Sequence, residues 1–108
     1  MRDLQEIRPE IDRVDHELVR LFEERMKLCG EVAEFKINTG KKVFDSEREA
    51  AKLKAVRALA DSEFNEQCIG ELFTQLMAMS RKLQYQMLAE NGKAAEFGFT
   101  GVEDMQLV

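Results

Sequence analysis

The chain has 108 residues, 44% hydrophobic and 34% charged with one proline, the size and make-up of one soluble, helix-rich domain with no room for a second. A net charge of −5 argues against nucleic acid, whose phosphates call for a basic surface, while leaving open a small anion held by a few local cations. No apolar run has the length of a membrane span or a signal peptide, and Cys29 and Cys68 are too few for a disulfide scaffold, so a cytoplasmic protein with reduced thiols is expected.

Leu4, Ile7, Ile11, Val14, Leu18, Leu21, Leu28, Val32 and Phe35 follow one another at helical spacing. The pattern predicts one long helix from about Asp3 to Asn38, closed by Thr39 and Gly40, with an apolar seam along its length. One charged residue, Arg25, interrupts the seam. A guanidinium cannot shed its proton to escape burial, so at this position it calls for an anion. Lys36 lies eleven residues further on, three turns plus 20°, which puts both cations on one face. Their separation of ~16 Å along the axis suits a small dianion once both side chains reach inward. Two local readings compete: a polar seam residue fixing register or oligomeric state, and a lysine serving the carbonyls of the last turn.

Such a helix is ~52 Å long, whereas a compact chain of this size has a radius of gyration of ~13 Å. The overhang, apolar throughout, predicts a second copy wound around the first in a homodimer. Arg8 sits in the first turns, 17 residues before Arg25. At ~25 Å along the axis it is too far away to share a small ligand within one helix, and an intertwined dimer allows the partner to deliver it instead. Pro9 follows directly and restricts residue 8. Because Leu4 and Ile7 continue the seam, a distorted helical turn before Pro9 is expected.

A second helix starts after Val43 and Phe44, capped by Asp45 or Ser46, and runs to near Ala60; Ser46 and Glu49 have capping-box spacing. Asp45, Arg48 and Glu49 place charge beside the loop that follows Lys36, an arrangement usually explained by a cap and a surface ion pair. Asp61 or Ser62 caps a third helix, which carries Ile69, Leu72, Leu76 and Leu83 and stops at Asn91 and Gly92. On it, Phe73, Met77, Ser80, Gln84 and Met87 form one stripe. Ser80 and Gln84, buried there unpaired, would each cost ~1–3 kcal/mol unless they bond each other or a carbonyl. Periodicity then ends, dividing the chain into a helical domain over 1–90 and a tail or linker over 91–108.

Arg8, Arg25, Lys36, Asp45, Arg48, Glu49, Ser80 and Gln84, in this order and on three helices of these lengths, resemble the active-site set of the all-helical chorismate mutases. The likeness runs from about residue 3 to 88 and is strongest to the mutase domain at the N-terminus of bacterial bifunctional mutase–prephenate dehydratase proteins. It implies an all-α fold of one very long and two shorter helices in an intertwined homodimeric bundle. It also implies Claisen rearrangement of chorismate to prephenate, on the way to phenylalanine and tyrosine, with neither cofactor nor metal. By the same resemblance, Arg25 and the partner subunit's Arg8 clamp the two substrate carboxylates, with Ser80 and Arg48 assisting. Lys36 and Gln84 then donate to the ether oxygen, and Glu49, with the backbone near Asp45, holds the ring hydroxyl. Three alternatives stand beside this reading: a lyase releasing pyruvate from isochorismate, a non-catalytic helical dimerisation or regulatory module, and one part of a longer polypeptide. The solitary His16 and the lack of a glycine-rich phosphate loop suggest no other chemistry.

Overall fold

The computed structural model describes residues 1–91; the expected tail therefore lies, from residue 92 onward, outside the described residues. The described chain is all-helical: α1 (Leu4–Thr39), α2 (Ser46–Arg57) and α3 (Glu63–Glu90). The caps expected at Gly40 and Ser62 form, and Asp3 adds an N-cap to α1. Asp3 accepts from the Glu6 N–H, Ser62 accepts from the Asn65 N–H, and Gly40 closes α1 with φ 75°, a left-handed conformation natural to glycine. Helix α1 runs through Pro9 without a break.

Of the two caps expected for α2 one is used, and its C-terminal boundary differs from expectation. At the head of α2 the cap is Asp45, whose carboxylate accepts the Arg48 N–H at 3.0 Å, so the Ser46–Glu49 spacing is not used as a capping box. At its end, α2 stops at Arg57 rather than near Ala60, because the N–H groups of Leu59 and Ala60 reach back only three residues and tighten the chain into a turn.

Helices α1 and α2 both pack on α3 and not on each other. The half-buried positions of α2 are Glu49, Lys52, Leu53, Val56 and Arg57, a helical stripe that is more than half charged. Gly70 on α3 is buried opposite Arg57, where an added Cβ would stand 3.3 Å from the guanidinium nitrogen, so its bareness lets α2 approach. At the other end Val43, Tyr85 and Leu88 form a small core joined by Ile37.

That core is small because, among the described residues, most of the apolar seam of α1 is left uncovered. The chain is elongated, 58 × 26 × 22 Å with a radius of gyration of 17.1 Å, well beyond the ~13 Å of a compact fold of this length. Leu4, Leu18, Leu28 and Phe35 are each more than half exposed, and Ile11, Val14, Leu21 and Val32 nearly match them. A contiguous apolar strip of this extent is uncommon on a protein that works alone. No helix among the described residues is long and apolar enough to cross a membrane.

Candidate active site

All the site residues expected from sequence except Arg8 line one cavity of about 150 Å³ enclosed by α1, the Val43–Asp45 loop, α2 and α3. Helix α1 supplies Arg25 and Lys36 from the same face, as their spacing requires, with Val32 between them. The first turn of α2 supplies Asp45, Arg48 and Glu49, and the polar part of the α3 stripe supplies Ser80 and Gln84.

The electrostatics of this cavity are lopsided. Five cations, Arg25, Lys36, Arg48, Lys52 and Arg81, face two carboxylates, Asp45 and Glu49, within a chain that is acidic overall. Arg25 is half-buried and, among the described residues, meets no carboxylate. Its Nη1 reaches only the Leu76 carbonyl at 3.5 Å and Cys29 Sγ at 3.8 Å, and its guanidinium lies 6.0 Å from the centre of the Phe73 ring. The anion demanded by the sequence is therefore not provided by the described part of the protein. Lys36 donates to the Val43 carbonyl at 2.7 Å, which leaves two of its three N–H bonds for other acceptors. Burial pushes its pKa below the ordinary lysine value, and the nearby charges of Asp45 and Glu49 only partly offset that.

Ser80 and Gln84 are both buried and bond each other, Gln84 Nε2 donating to Ser80 Oγ at 2.9 Å. The amide oxygen, Oε1, is left buried without a partner among the described residues. Turning the amide over exchanges the roles. Ser80, whose hydroxyl donates as readily as it accepts, then satisfies Oε1, and Nε2 is free to donate to an acceptor in the cavity. The pair is thus a donor that a ligand acceptor can recruit while Ser80 and Gln84 stay bonded to each other.

The chain matches the family of type II chorismate mutases over residues 7–85. It belongs to that family. It is similar to the chorismate mutase of Methanocaldococcus jannaschii, with 35% identity over 88 residues, 81% of this chain and 89% of that one. It is also similar to the T-protein of Haemophilus influenzae, 39% identical over 61 residues, covering 56% of this chain and 16% of that protein. The bifunctional chorismate mutase/prephenate dehydratase of Aquifex aeolicus is 35% identical over 75 residues, 69% of this chain and 19% of that protein. The chain spans most of the archaeal relative and less than a fifth of the two bacterial ones. No solved structure matches it to the same significance.

In this chorismate mutase family member Arg8 is exposed on the first turns of α1, outside the cavity. Two lining residues, Lys52 and Arg81, were not legible from sequence. Arg81 Nη1 bonds Glu49 Oε1, and its guanidinium lies 5.1 Å from the centre of the Phe44 ring. A larger hollow of about 810 Å³ between α2 and α3, bordered by Arg57, Cys68 and Thr74, lacks this convergence of charge. Its arginine already faces Glu66 at 3.9 Å. Among the described residues no group of histidines, cysteines and carboxylates gathers as a metal site.

Proposed function

We propose that the protein rearranges chorismate to prephenate at a site completed, in a homodimer, by the partner subunit's Arg8. The observation that carries this reading is the half-buried Arg25, which faces a small cation-rich cavity and, among the described residues, meets no carboxylate. Chorismate is a dicarboxylate with an enolpyruvyl ether and a ring hydroxyl. Its rearrangement forms one C–C bond as an ether C–O bond breaks, and needs no nucleophile and no proton transfer. A protein accelerates it by holding the folded conformer and by donating to the ether oxygen as negative charge gathers there.

The residues fit those two tasks. Arg25 and the partner subunit's Arg8 hold the carboxylates, with help from Ser80 and Arg48, through charge-assisted bonds whose planar fork matches a carboxylate. Lys36, anchored on Val43, and the turned amide of Gln84 point their spare N–H groups at the ether oxygen. Glu49 and the backbone at Asp45 receive the ring hydroxyl. An acceleration of ~10⁶-fold, ~8 kcal/mol, lies within the reach of such a site.

The dimer reading is supported by the bare seam of α1, whose apolar residues no other described residue covers and a second copy would bury. The free thiols of Cys29 and Cys68 accord with work in the reducing cytoplasm.

Assaying the purified protein on chorismate and isochorismate side by side tests the reaction class. The expected result is loss of chorismate absorbance with prephenate as product, and little pyruvate from isochorismate. Rapid pyruvate release from isochorismate would instead make the protein a lyase.

A further inference from the structure

Arg81 follows Ser80 on α3 and shares its cavity, yet the clamp and the ether donors described above make no use of it. Its guanidinium is held on two sides. Nη1 bonds Glu49 Oε1, and the Phe44 ring lies 5.1 Å away in a cation–π contact. The pair is well shielded, with the Arg81 and Glu49 side chains 13% and 23% exposed, and it links α3 to α2 across 32 residues of sequence. An exposed ion pair contributes little, because two long side chains must be ordered in water to form it. Here the ordering is already done by the ring and by the packing of α2 on α3.

Glu49 has a local alternative. Its spacing from Ser46 would allow it to fold back on the head of its own helix, but Asp45 takes the capping role and Glu49 turns to Arg81. An ionised carboxylate offers about four acceptor positions. The Nη1 bond takes one on Oε1, which leaves capacity for a hydroxyl donor in the cavity.

We propose that Arg81 is a positioning residue: steadied by Phe44, it aims the Glu49 carboxylate into the cavity as the acceptor for the substrate's ring hydroxyl. This inference rests on the mutase reading of the cavity. Arg81 acts through Glu49 and makes no substrate contact of its own. The hydroxyl contact exists in substrate and transition state alike, so its loss weakens binding more than it slows the chemical step.

The test combines steady-state kinetics on chorismate with inhibition by a dicarboxylate analogue lacking the ring hydroxyl. Arg81→Gln is expected to raise KM ~10-fold with kcat within ~2-fold of the parent. The analogue's inhibition constant should rise no more than ~3-fold, the share due to removing one cation from the surroundings. Arg81→Lys, which keeps the charge but not the planar fork, should raise KM ~3-fold and leave the analogue unaffected. In a Glu49→Ala background, Arg81→Gln should add less than ~2-fold to KM, since the residue it acts through is gone. Parallel rises for chorismate and the analogue, full additivity with Glu49→Ala, or an unmoved KM in either folded variant would overturn the proposal. If Arg81→Gln does not fold, Arg81→Lys decides by the same readouts. A parent protein that turns over no chorismate refutes the mutase reading itself, whereas an active parent with an unmoved KM in the variants refutes only the role of Arg81.

Discussion

Arg25→Leu is expected to lower kcat/KM for chorismate by about two to four orders of magnitude while leaving thermal stability unchanged or raised. Truncating one partner of a buried, hydrogen-bonded charge pair costs ~2–5 kcal/mol, and in the proposed reaction the second partner is a substrate carboxylate. The stability side follows from what Arg25 touches in the protein. Its contacts among the described residues are a carbonyl at 3.5 Å and a sulfur at 3.8 Å, both long, and the Phe73 ring centred 6.0 Å away, and none of them is a carboxylate. Leucine would continue the seam of Leu21 and Leu28 and remove a cation that the described chain leaves without a carboxylate. Kinetics and a thermal melt on the same preparation give both halves of the result. A variant that fails to fold would mark Arg25 as a register residue of the seam, the reading that its sequence position also allows.

Gln84→Glu is expected to work only in acid. The ether oxygen becomes more negative in the transition state, so its partner must donate a proton. The amide of Gln84 does so at any ordinary pH. The introduced carboxyl donates only while protonated, and above its pKa it sets a negative charge against the developing one. Its ordinary value is ~4.3; burial and the substrate carboxylates raise it, while Lys36 and the arginines lower it. Near neutrality the loss should reach ~10²–10³-fold in kcat, the usual effect of removing one such donor.

The parent should instead stay flat through neutrality and lose activity in alkali, as Lys36 gives up its proton below the ordinary lysine value. Stability moves the other way in that window. The folded pKa of Lys36 is depressed, so charging it opposes folding at lower pH, and the penalty is relieved as pH climbs from the folded pKa to the unfolded one. An alkaline fall in activity is therefore not explained by unfolding linked to Lys36. Matching pH–rate profiles for variant and parent would show that Gln84 is not the ether donor.

The parts of the structure legible in sequence are those governed by local rules. The spacing from Leu4 to Phe35 specifies α1, Asp3 and Gly40 close its two ends, and the seam displays Arg25 because a charge is conspicuous among leucines. Ser80 and Gln84 are visible for the same reason, as polar residues in an apolar stripe, and of the two pairings open to them, each other or a carbonyl, the first forms. Arg81 and Lys52 escape because each is a long cation whose destination depends on where another element lies. Glu49 shows the same limit. Its spacing from Ser46 suggests a local cap, whereas its observed partner is decided by the approach of α2 to α3, which Gly70 permits.

The most direct test of a shared site mixes Arg8→Ala chains with Arg25→Ala chains. Each variant alone should be nearly inactive, since every site then lacks one carboxylate clamp. A hybrid dimer holds one site with Arg25 from the first chain and Arg8 from the second, both intact, and one site lacking both. With equal mixing and free exchange, half the dimers are hybrids with one working site of two, so activity should return to ~25% of the parent per chain. No recovery of chorismate turnover, in a mixture whose subunit exchange is confirmed by mass, would contradict a site that takes Arg8 from the partner.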